Sequence, residues 1–483
     1  MKKINFLITT LVILLATACT KDFEAINTNP NAPIEVQPGL LLRQVIYDYG
    51  EQMSYEGFVA GNLLGQYLTA IDFNLFDRHS LTEPQFGGNP WPVLYTNLRD
   101  NEIILEKART QPVSFSVYEG PALILKAYMT AALTDIYGDV PYAEALDAKE
   151  GNITPRYDAQ EQIYTAANGI LDNLDRGIAA IQAYTGNQQL EGDILFEADL
   201  AAWITFANSL KIKFLLRIAD RMDVSGQLQA IYDAGDYMKT NAENATFDFT
   251  DGQPNNFRLA TLRAGDFNLF IMSETMEEML NAYDDPRIAV LFRPIGNDPT
   301  QTEFKGLLNG PDASQTSISV ADFSLTGTIF REHTGDLDAN FLTAWETQFL
   351  LAEAAERGLI SADAQLLYEN GVQLAFEYWQ TPLPAAYLSS GLAAYGGSEM
   401  ENVKKIVTQK WIANIVNGYE GWIDYRRTGF PELKTISASL NNGLIPVRMP
   451  YPTDESALNS ANFNAATAGN GNSINSPVWW DIN

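Results

Sequence analysis

A long apolar helix that stops abruptly constrains the fold of this chain most. Residues 122–132 are strongly apolar and repeat with helical spacing. Gly138 follows where the helix should end, because glycine adopts the left-handed C-cap conformation without a Cβ penalty. Pro141 then forces the residue before it into an extended backbone. We therefore predict a buried helix over 117–137, with residues 133–145 forming the joint between two helical units.

The composition excludes several classes of protein. The chain has 483 residues and a formal net charge of −29, so nucleic acid and anionic lipid surfaces would repel it. It contains one cysteine and two histidines, His79 and His333. An internal disulfide is therefore impossible, and a Cys/His zinc site cannot be assembled. A hydrophobic content of 46% is ample for a buried core.

The N-terminus has the pattern of a bacterial lipoprotein signal. Two lysines precede an apolar run over residues 4–15, which is shorter than the roughly 20 residues of a bilayer span and fits a secretory signal peptide. Small residues then lead directly to Cys19, the single cysteine. We predict that residues 1–18 are a signal peptide and that acyl chains on Cys19 hold a soluble domain on a membrane. Residues 19–36, rich in turn-forming Asn and Pro, are the predicted tether.

Hydrophobic periodicity predicts a mainly α-helical chain. Apolar residues recur at spacings of three and four, and the clearest stripe lies in residues 200–222. Basic residues occupy the other faces of that helix, and we expect them to lie among neighbouring carboxylates. Ser361 is the predicted N-cap of a later helix. The predicted helices are 37–70, 93–109, 117–137, 157–182, 200–222, 269–283, 341–358, 362–379, 400–417 and 420–427.

Helix pairs of about 34 residues indicate tetratricopeptide-like packing, in which each pair buries its apolar face on the next. The sequence has no clean linker, so we predict a single domain over residues 37–483. Residues 247–340 have little periodicity and many polar residues. They are predicted to form a loop-rich, ligand-binding lobe with a hairpin over 325–330. The tail from residue 433 is predicted to be extended.

Catalytic and metal-binding patterns are weak. With 60 acidic residues, neighbouring carboxylates are expected by chance, so a glycosidase pair has no specific support. Asp284 and Asp285 precede Arg287 at a predicted helix end, where capping and an arginine pair explain them. No Gly-x-Ser-x-Gly elbow accompanies the histidines. A calcium-loop pattern begins at Asp336, but Phe341 replaces its required glycine. We predict no enzyme activity, no cofactor and no metal site.

Exposed aromatic, amide and arginine side chains are the groups that hold sugars and peptides. Three loops of this chain have that composition. Each set could equally anchor its loop in the core, and Trp91 could simply pack against the helix that it begins. The candidate ligand-binding residues are Phe73, Phe76, His79, Phe86 and Trp91 in the first loop, Asn256, Arg258 and Arg263 in the second, and Tyr395 in the third.

Several segments resemble the SusD/RagB family of surface lipoproteins. Residues 134–142, Thr-Asp-Ile-Tyr-Gly-Asp-Val-Pro-Tyr, with Glu144 and Ala145, are similar to the hallmark segment of that family. The charged residues of the C-terminal segments are predicted to be structural, because arginine pairs bidentately with carboxylates. Loops 71–92 and 247–340 match poorly. The other matching segments are 22–31, 345–358, 406–413, 422–431 and 445–452.

The resemblance implies a SusD-like fold and a function in nutrient uptake. Such a protein would be anchored through Cys19 in the outer membrane, face outward, and capture an oligosaccharide for a SusC-like, TonB-dependent transporter. A peptide-binding, RagB-like lipoprotein is the alternative within the family. A surface glycan hydrolase is the alternative of another class, and a structural cap without a ligand also stays open. Ligand specificity in this family lies in variable loops, so we expect the site in the loops that match least.

Overall fold

The computed structural model describes residues 36–482, except residues 83–85, 111, 299, 313 and 315–316. The predicted signal peptide, Cys19 and residues 19–35 of the predicted tether lie outside the described residues. The assignment of residues 37–483 to one domain stays a prediction.

Helices form most of the described chain, as the periodicity predicts. Polar caps fix several starts: Asp199, Thr343 and Ser398 each accept hydrogen bonds from N–H groups of the first turn. The helices of six or more residues are α1 Pro38–Glu56, α2 Trp91–Thr110, α3 Glu119–Tyr137, α4 Gln160–Thr165, α5 Ile170–Ala183, α6 Leu200–Arg217, α7 Ser225–Ala234, α8 Glu274–Ala282, α9 Ala344–Glu356, α10 Ala364–Tyr378, α11 Glu399–Ala413, α12 Gly418–Thr428, α13 Thr453–Leu458 and α14 Ser460–Thr467. Shorter α-helical turns are Asn62–Leu64, Ala264–Phe267 and Ile288–Leu291.

Short antiparallel ladders tie distant parts of the described chain together. The strands are β1 Leu68–Ala70, β2 Val140–Pro141, β3 Tyr157–Asp158, β4 Ala245–Asp248, β5 Phe270–Met272 and β6 Asp338–Leu342. β1 pairs with β5, β2 with β3, and β4 with β6. The β4–β6 ladder brings the two ends of the loop-rich lobe together, and its last pair places Asp248 opposite Asp338. The β1–β5 ladder attaches the loop after β1 to that lobe.

Helix α3 is buried on most of its surface between α2 and α5. Gly120 of α3 and Gly177 of α5 allow the two helices to approach closely. A Cβ on Gly120 would lie 2.8 Å from the Gly177 carbonyl oxygen, and one on Gly177 would lie 3.0 Å from that of Gly120. α3 ends at Gly138, which has φ +81° and donates its N–H to Thr134 O at 2.7 Å. The predicted helix and its stop at Gly138 are confirmed, but ψ of Gly138 is −128°, so this residue is not in the predicted left-handed helical conformation.

Neighbouring helices pack in tetratricopeptide-like pairs, and this confirms the predicted mainly α-helical class. α2 packs on α3, α5 on α6, and α9 on both α10 and α11. Residues 247–340 consist largely of loops, single turns and short strands around α8. The helical pairs therefore form the scaffold, and the loop-rich lobe is attached to it through the β1–β5 and β4–β6 ladders.

The first predicted helix, 37–70, is correct as far as Leu64 except for a change of helix type, and it is wrong beyond that residue. α1 continues into a π-helical turn, Gly57–Gly61, and a single α-helical turn before strand β1 begins. The cause is a close contact with another segment. A Cβ on Gly61 would lie 2.2 Å from the backbone nitrogen of Tyr419, so the start of α12 packs directly on this backbone. Periodicity within one segment carries no signal of such a contact.

Other predicted boundaries are also wrong. The helix predicted over 157–182 is interrupted between α4 and α5, where Gly169 packs against the carbonyl oxygens at the end of α4. The helices predicted from 269 and 341 begin as strands β5 and β6, whose partners are distant in sequence. The predicted hairpin is absent from 325–330, since Leu325 and Thr326 form bridges with Ile271 and Phe292 instead.

Three local predictions missed a polar cap or a helix. Asp363, not Ser361, is the N-cap of α10, and its Oδ1 accepts from the Leu366 N–H at 3.0 Å. Helix α7 was not predicted. The tail predicted to be extended contains α13 and α14, whose Asn, Ser and Ala residues form no apolar stripe in the sequence.

Candidate ligand-binding surface

A loop over residues 71–82 is fixed by one buried carboxylate. Asp77 Oδ2 accepts hydrogen bonds from Thr69 Oγ1 at 2.7 Å and from the Gly310 N–H at 2.8 Å, and Oδ1 accepts from Asn309 Nδ2 at 2.7 Å. Burial raises the pKa of Asp77 to about 6, although these donors favour the carboxylate. Asp77 therefore joins β1, the loop and the loop-rich lobe into one unit.

The predicted ligand residues Phe76 and His79 lie in the base of this loop. Both side chains are buried, and His79 Nδ1 lies 3.1 Å from Leu444 O. Burial lowers the pKa of the His79 imidazole to about 4. In this structure both residues therefore support the loop and present no surface to solvent.

Phe73 lies at the tip of the same loop with 57% of its surface exposed. Its backbone is in the left-handed region at φ +48°, which is a rare conformation for a bulky residue and one that clusters at functional sites. Its ring packs edge-on against Phe86 at 6.0 Å, and Phe86 packs edge-on against Phe270 at 5.7 Å. An exposed aromatic ring is thus held on a support of two further rings.

Arg258 comes to the same place from the second predicted loop. Its guanidinium lies 4.8 Å from the centre of the Tyr55 ring, and the Tyr55 hydroxyl donates to Phe86 O. Arg258 also lies 3.9 Å from the Glu51 carboxylate, and its side chain is 48% exposed. Burial raises the pKa of the Tyr55 phenol to about 12. We call Phe73, Phe86, Tyr55 and Arg258 the aromatic–arginine surface.

The remaining predicted residues do not join this surface. Trp91 is buried at the start of α2, 5.0 Å from the Tyr137 ring, and Asn256 is buried as well. Arg263 is highly exposed and pairs with Asp266 at 2.8 Å. Tyr395 donates to Glu356 at the end of α9. Their roles in ligand binding stay predictions, and the contacts of Trp91 are those of a helix anchor.

Sequence reasoning missed Glu51 and Tyr55, which belong to α1. The apolar stripe of α1 indicates only which face of the helix is buried in the core. The available signal was the recurrence of Tyr47, Glu51 and Tyr55 at intervals of four on another face. Among the described residues, no group of three or more His, Cys, Asp or Glu side chains could hold a metal ion.

A comparison with protein families decides which family this fold represents. The model of a SusD-like family, described as "Starch-binding associating with outer membrane", matches residues 30–452.

The chain belongs to the SusD-like family.

The resemblance seen in the sequence is thereby confirmed. Members of this SusD-like family associate with the outer membrane and are described as binding proteins. A search of the curated proteins returned no match.

Solved structures share the SusD-like fold over nearly the whole chain. A chitin-binding protein is 25% identical to this chain, with a TM-score of 0.78, and the alignment covers 92% of this chain and 100% of that protein. A SusD homologue from Bacteroides fragilis NCTC 9343 is 21% identical, with a TM-score of 0.79 and the same coverage. A chitin-binding SusD homologue from Flavobacterium johnsoniae is 22% identical, with a TM-score of 0.76, and covers 92% of this chain and 98% of its own.

Two described segments that carry the SusD-like resemblance, 345–358 and 422–431, place charged residues in the helical interior. Arg427 pairs with Glu353, with one contact at 2.6 Å, and lies 3.2 Å from Asp424. Lys410 pairs with Asp424 at 2.9 Å. Burial alone would raise the pKa of Glu353, but the charge and hydrogen bonds of Arg427 outweigh it and hold that pKa at about 2. The expectation that these charged residues are structural agrees with their contacts.

A second part of this ion network connects α3 to α6 and α12. Lys213 lies 3.0 Å from both Glu346 and Glu420, and Arg217 lies 2.8 Å from Glu420. Asp135, in the hallmark segment, accepts from Tyr164 at 2.6 Å and from Trp480 Nε1 at 2.8 Å. The basic residues of α6 therefore lie among carboxylates, as expected. Lys213 and Arg217 are buried there, whereas Lys211 is partly exposed and pairs with Asp175.

None of the helices within residues 36–482, outside the gaps, is long and apolar enough to cross a bilayer.

Proposed function

We propose that this chain is a lipid-anchored protein of the cell surface that captures an oligosaccharide and passes it to a SusC-like, TonB-dependent transporter. The observation that carries the proposal is the meeting of two sequence-predicted loops at the aromatic–arginine surface. Phe73 presents an exposed ring there, and Arg258 presents an exposed guanidinium held on Tyr55. The family description and two chitin-binding relatives support a glycan as the ligand.

The chemistry of the surface suits a sugar chain. Aromatic rings pack against the apolar faces of sugars, and a planar guanidinium donates several hydrogen bonds to oxygen acceptors. The hydrogen bonds of Asp77 and the edge-on packing of Phe73, Phe86 and Phe270 fix the loop tip before any ligand binds. A preformed contact surface loses little conformational entropy on binding. Capture by this surface requires no covalent step.

Calorimetric titration of the chain, purified from membranes in detergent, tests the ligand class. Oligosaccharides of chitin and of starch are titrated beside a peptide mixture. We expect saturable binding of one sugar series and a loss of about tenfold in affinity in Phe73→Ala, since a stacked ring contributes about 1–1.5 kcal/mol. Met400→Ala, which removes another highly exposed apolar side chain, is the matched control and should bind normally.

Other outcomes separate the alternatives. Binding of peptides without binding of sugars would favour a RagB-like protein and overturn the glycan assignment. Shortened sugar products after incubation with purified chain would favour a hydrolase. Normal sugar uptake by cells that carry Phe73→Ala would favour a cap without its own ligand.

The anchor and the transporter need separate tests. Cys19→Ala should prevent incorporation of labelled fatty acid and release the chain from the membrane. Affinity purification of the acylated chain from outer membranes should recover a β-barrel transporter in stoichiometric amount. Repeated recovery of the intact chain without a barrel would overturn the proposed partnership.

A further inference from the structure

An open cavity of about 450 Å³ lies beside the first half of α1 and is separate from the aromatic–arginine surface. Its floor contains Tyr47 and Phe247, whose rings are stacked at 5.5 Å with an interplanar angle of 29°. The ring of Phe247 lies over Gly50, where an added Cβ would be 2.4 Å away. Leu40 and Ile194 complete the apolar part of the wall.

Polar groups surround the aromatic floor. Gln44, Asp248, Thr250 and Asn255 line the cavity together with Arg43. The side chains of Arg43 and Asn255 are exposed, and neither makes a hydrogen bond or ion pair with the described part of the chain. Aromatic rings with amide and carboxylate groups at the rim are the composition of a site for a polyhydroxylated ligand.

The cavity and the aromatic–arginine surface are the two ends of one path along α1. Tyr47 and Tyr55 are eight positions apart on this helix, a rise of about 12 Å, with Glu51 midway. The segment 254–258 runs beside them. Pro254 O accepts from the Tyr47 hydroxyl at 3.2 Å, and Arg258 lies against Tyr55 at the far end.

We propose that this cavity is a second glycan subsite, which binds a sugar unit of the same oligosaccharide that contacts Phe73. The inference rests on the proposed function. Tyr47 and Phe247 supply the aromatic face, while Gln44, Asn255 and Asp248 bind hydroxyl groups. An extended ligand would lie along α1 between the two ends.

The cavity wall carries charge of both signs. Asp248 lines it together with Arg43, and Asp248 faces Asp338 across the β4–β6 ladder. Burial and the carboxylate of Asp248 raise the pKa of Asp338 to about 7. The charges of the wall therefore do not select between a neutral and an acidic sugar unit.

The test measures affinity against ligand length by calorimetric titration, with chitin and starch oligosaccharides of two to eight units. In wild-type protein we expect affinity to rise once the ligand spans both ends of the path. The double variant Gln44→Ala/Asn255→Ala should lose about tenfold in affinity for the longest oligomers, the loss expected for two weak hydrogen bonds. It should bind the shortest oligomers as wild type does.

The matched control is Gln365→Ala on α10. Gln365 donates to Glu369 four residues later at 2.8 Å, the same arrangement that joins Gln44 to Asp48 on α1. The control should keep the wild-type length dependence. If Gln44→Ala/Asn255→Ala also keeps the wild-type dependence of affinity on ligand length, the second subsite is overturned and the proposed function is left intact. Failure of wild-type protein to bind either sugar series overturns the proposed function, and the subsite with it.

Discussion

Arginine is used differently in the helical interior and at the aromatic–arginine surface. Arg427 is almost fully buried and pairs with two carboxylates, Glu353 and Asp424. Arg258 is half-exposed and lies over the Tyr55 ring. Its nearest carboxylate, that of Glu51, is 3.9 Å away, which is longer than a hydrogen bond. The interior residue directs its donors to the protein, whereas the surface residue keeps donors for a ligand. The comparison separates the part of the chain that maintains the fold from the part that can change with the ligand.

The largest effect should come from breaking the interior network. Arg427→Met removes a buried partner charge from Glu353 and Asp424, which then rely on Arg357 and Lys410 respectively, and we expect a loss of about 3 kcal/mol in the free energy of unfolding. Urea denaturation followed by circular dichroism measures it. Arg176→Ala, which removes a half-exposed pair with Asp172, should cost under about 0.5 kcal/mol. Equal losses in the two variants would remove the distinction between interior and surface.

The second prediction concerns pH at the base of the binding loop. The pKa of His79 falls from 6.5 to about 4 on folding, so its contribution to stability is present above pH 6.5 and is lost as the pH falls to 4. The pKa of Asp77 rises from 3.8 to about 6, so its contribution is present below pH 3.8 and is lost as the pH rises to 6. The two contributions, each about 3 kcal/mol, nearly cancel between pH 4 and 6.5.

Single variants should expose this cancellation. Relative to wild type, His79→Gln should gain up to about 3 kcal/mol in unfolding free energy between pH 7 and pH 4, and Asp77→Asn should lose a similar amount between pH 6.5 and pH 4. Denaturation at several pH values tests both signs. The pKa of Glu353 falls from 4.5 to about 2 on folding, so its contribution to stability is lost mainly below pH 4.5 and enters wild type and both variants equally. Parallel pH profiles for wild type and both variants would contradict the prediction.

A third prediction concerns Phe73, where one substitution should change ligand affinity and stability in opposite directions. Phe73→Gly removes the exposed ring and also the unfavourable φ of +48°. We expect stability to increase by about 1 kcal/mol, because glycine adopts positive φ without steric cost, while sugar affinity falls about tenfold. Thermal melting and calorimetric titration measure the two effects. A stability loss in Phe73→Gly would mean that the ring supports the fold and is not reserved for the ligand.

The smallest effect should come from a conservative change at Arg258. Arg258→Lys keeps the charge but loses the planar group that lies on Tyr55. We expect a change below about 0.5 kcal/mol in stability and a loss of about threefold in sugar affinity. The control is Arg293→Lys, since Arg293 forms an ion pair with Glu332 elsewhere in the loop-rich lobe. A similar affinity loss in that control would show that the effect is not local to the surface.

The sequence predicted features that depend on local spacing. The course of α3, its stop at Gly138 and the structural use of arginine near residue 427 follow from periodicity, glycine geometry and charge. Prediction from the sequence failed where contacts with distant segments determine the backbone conformation. The π-helical turn before Asn62 depends on contact with Tyr419, and β5 and β6 depend on partners far along the chain.

The candidate site was predicted in part. Phe73, Phe86 and Arg258 were found because their residue types suit a ligand surface and their loops lack periodicity. Burial of His79 and Asn256 could not be read from sequence, since polar residues in loops are usually exposed. Tyr55 was missed because it belongs to a helix whose other face is core.

The bond from Trp480 to Asp135 has a consequence for the order of assembly. The two residues are 345 positions apart, so the polar centre beside α3 stays incomplete until Trp480 is available. Contacts over such separations form slowly, because a long segment must be ordered first. For a chain exported as proposed, we expect this late closure to favour a translocation-competent state until Trp480 has been synthesised.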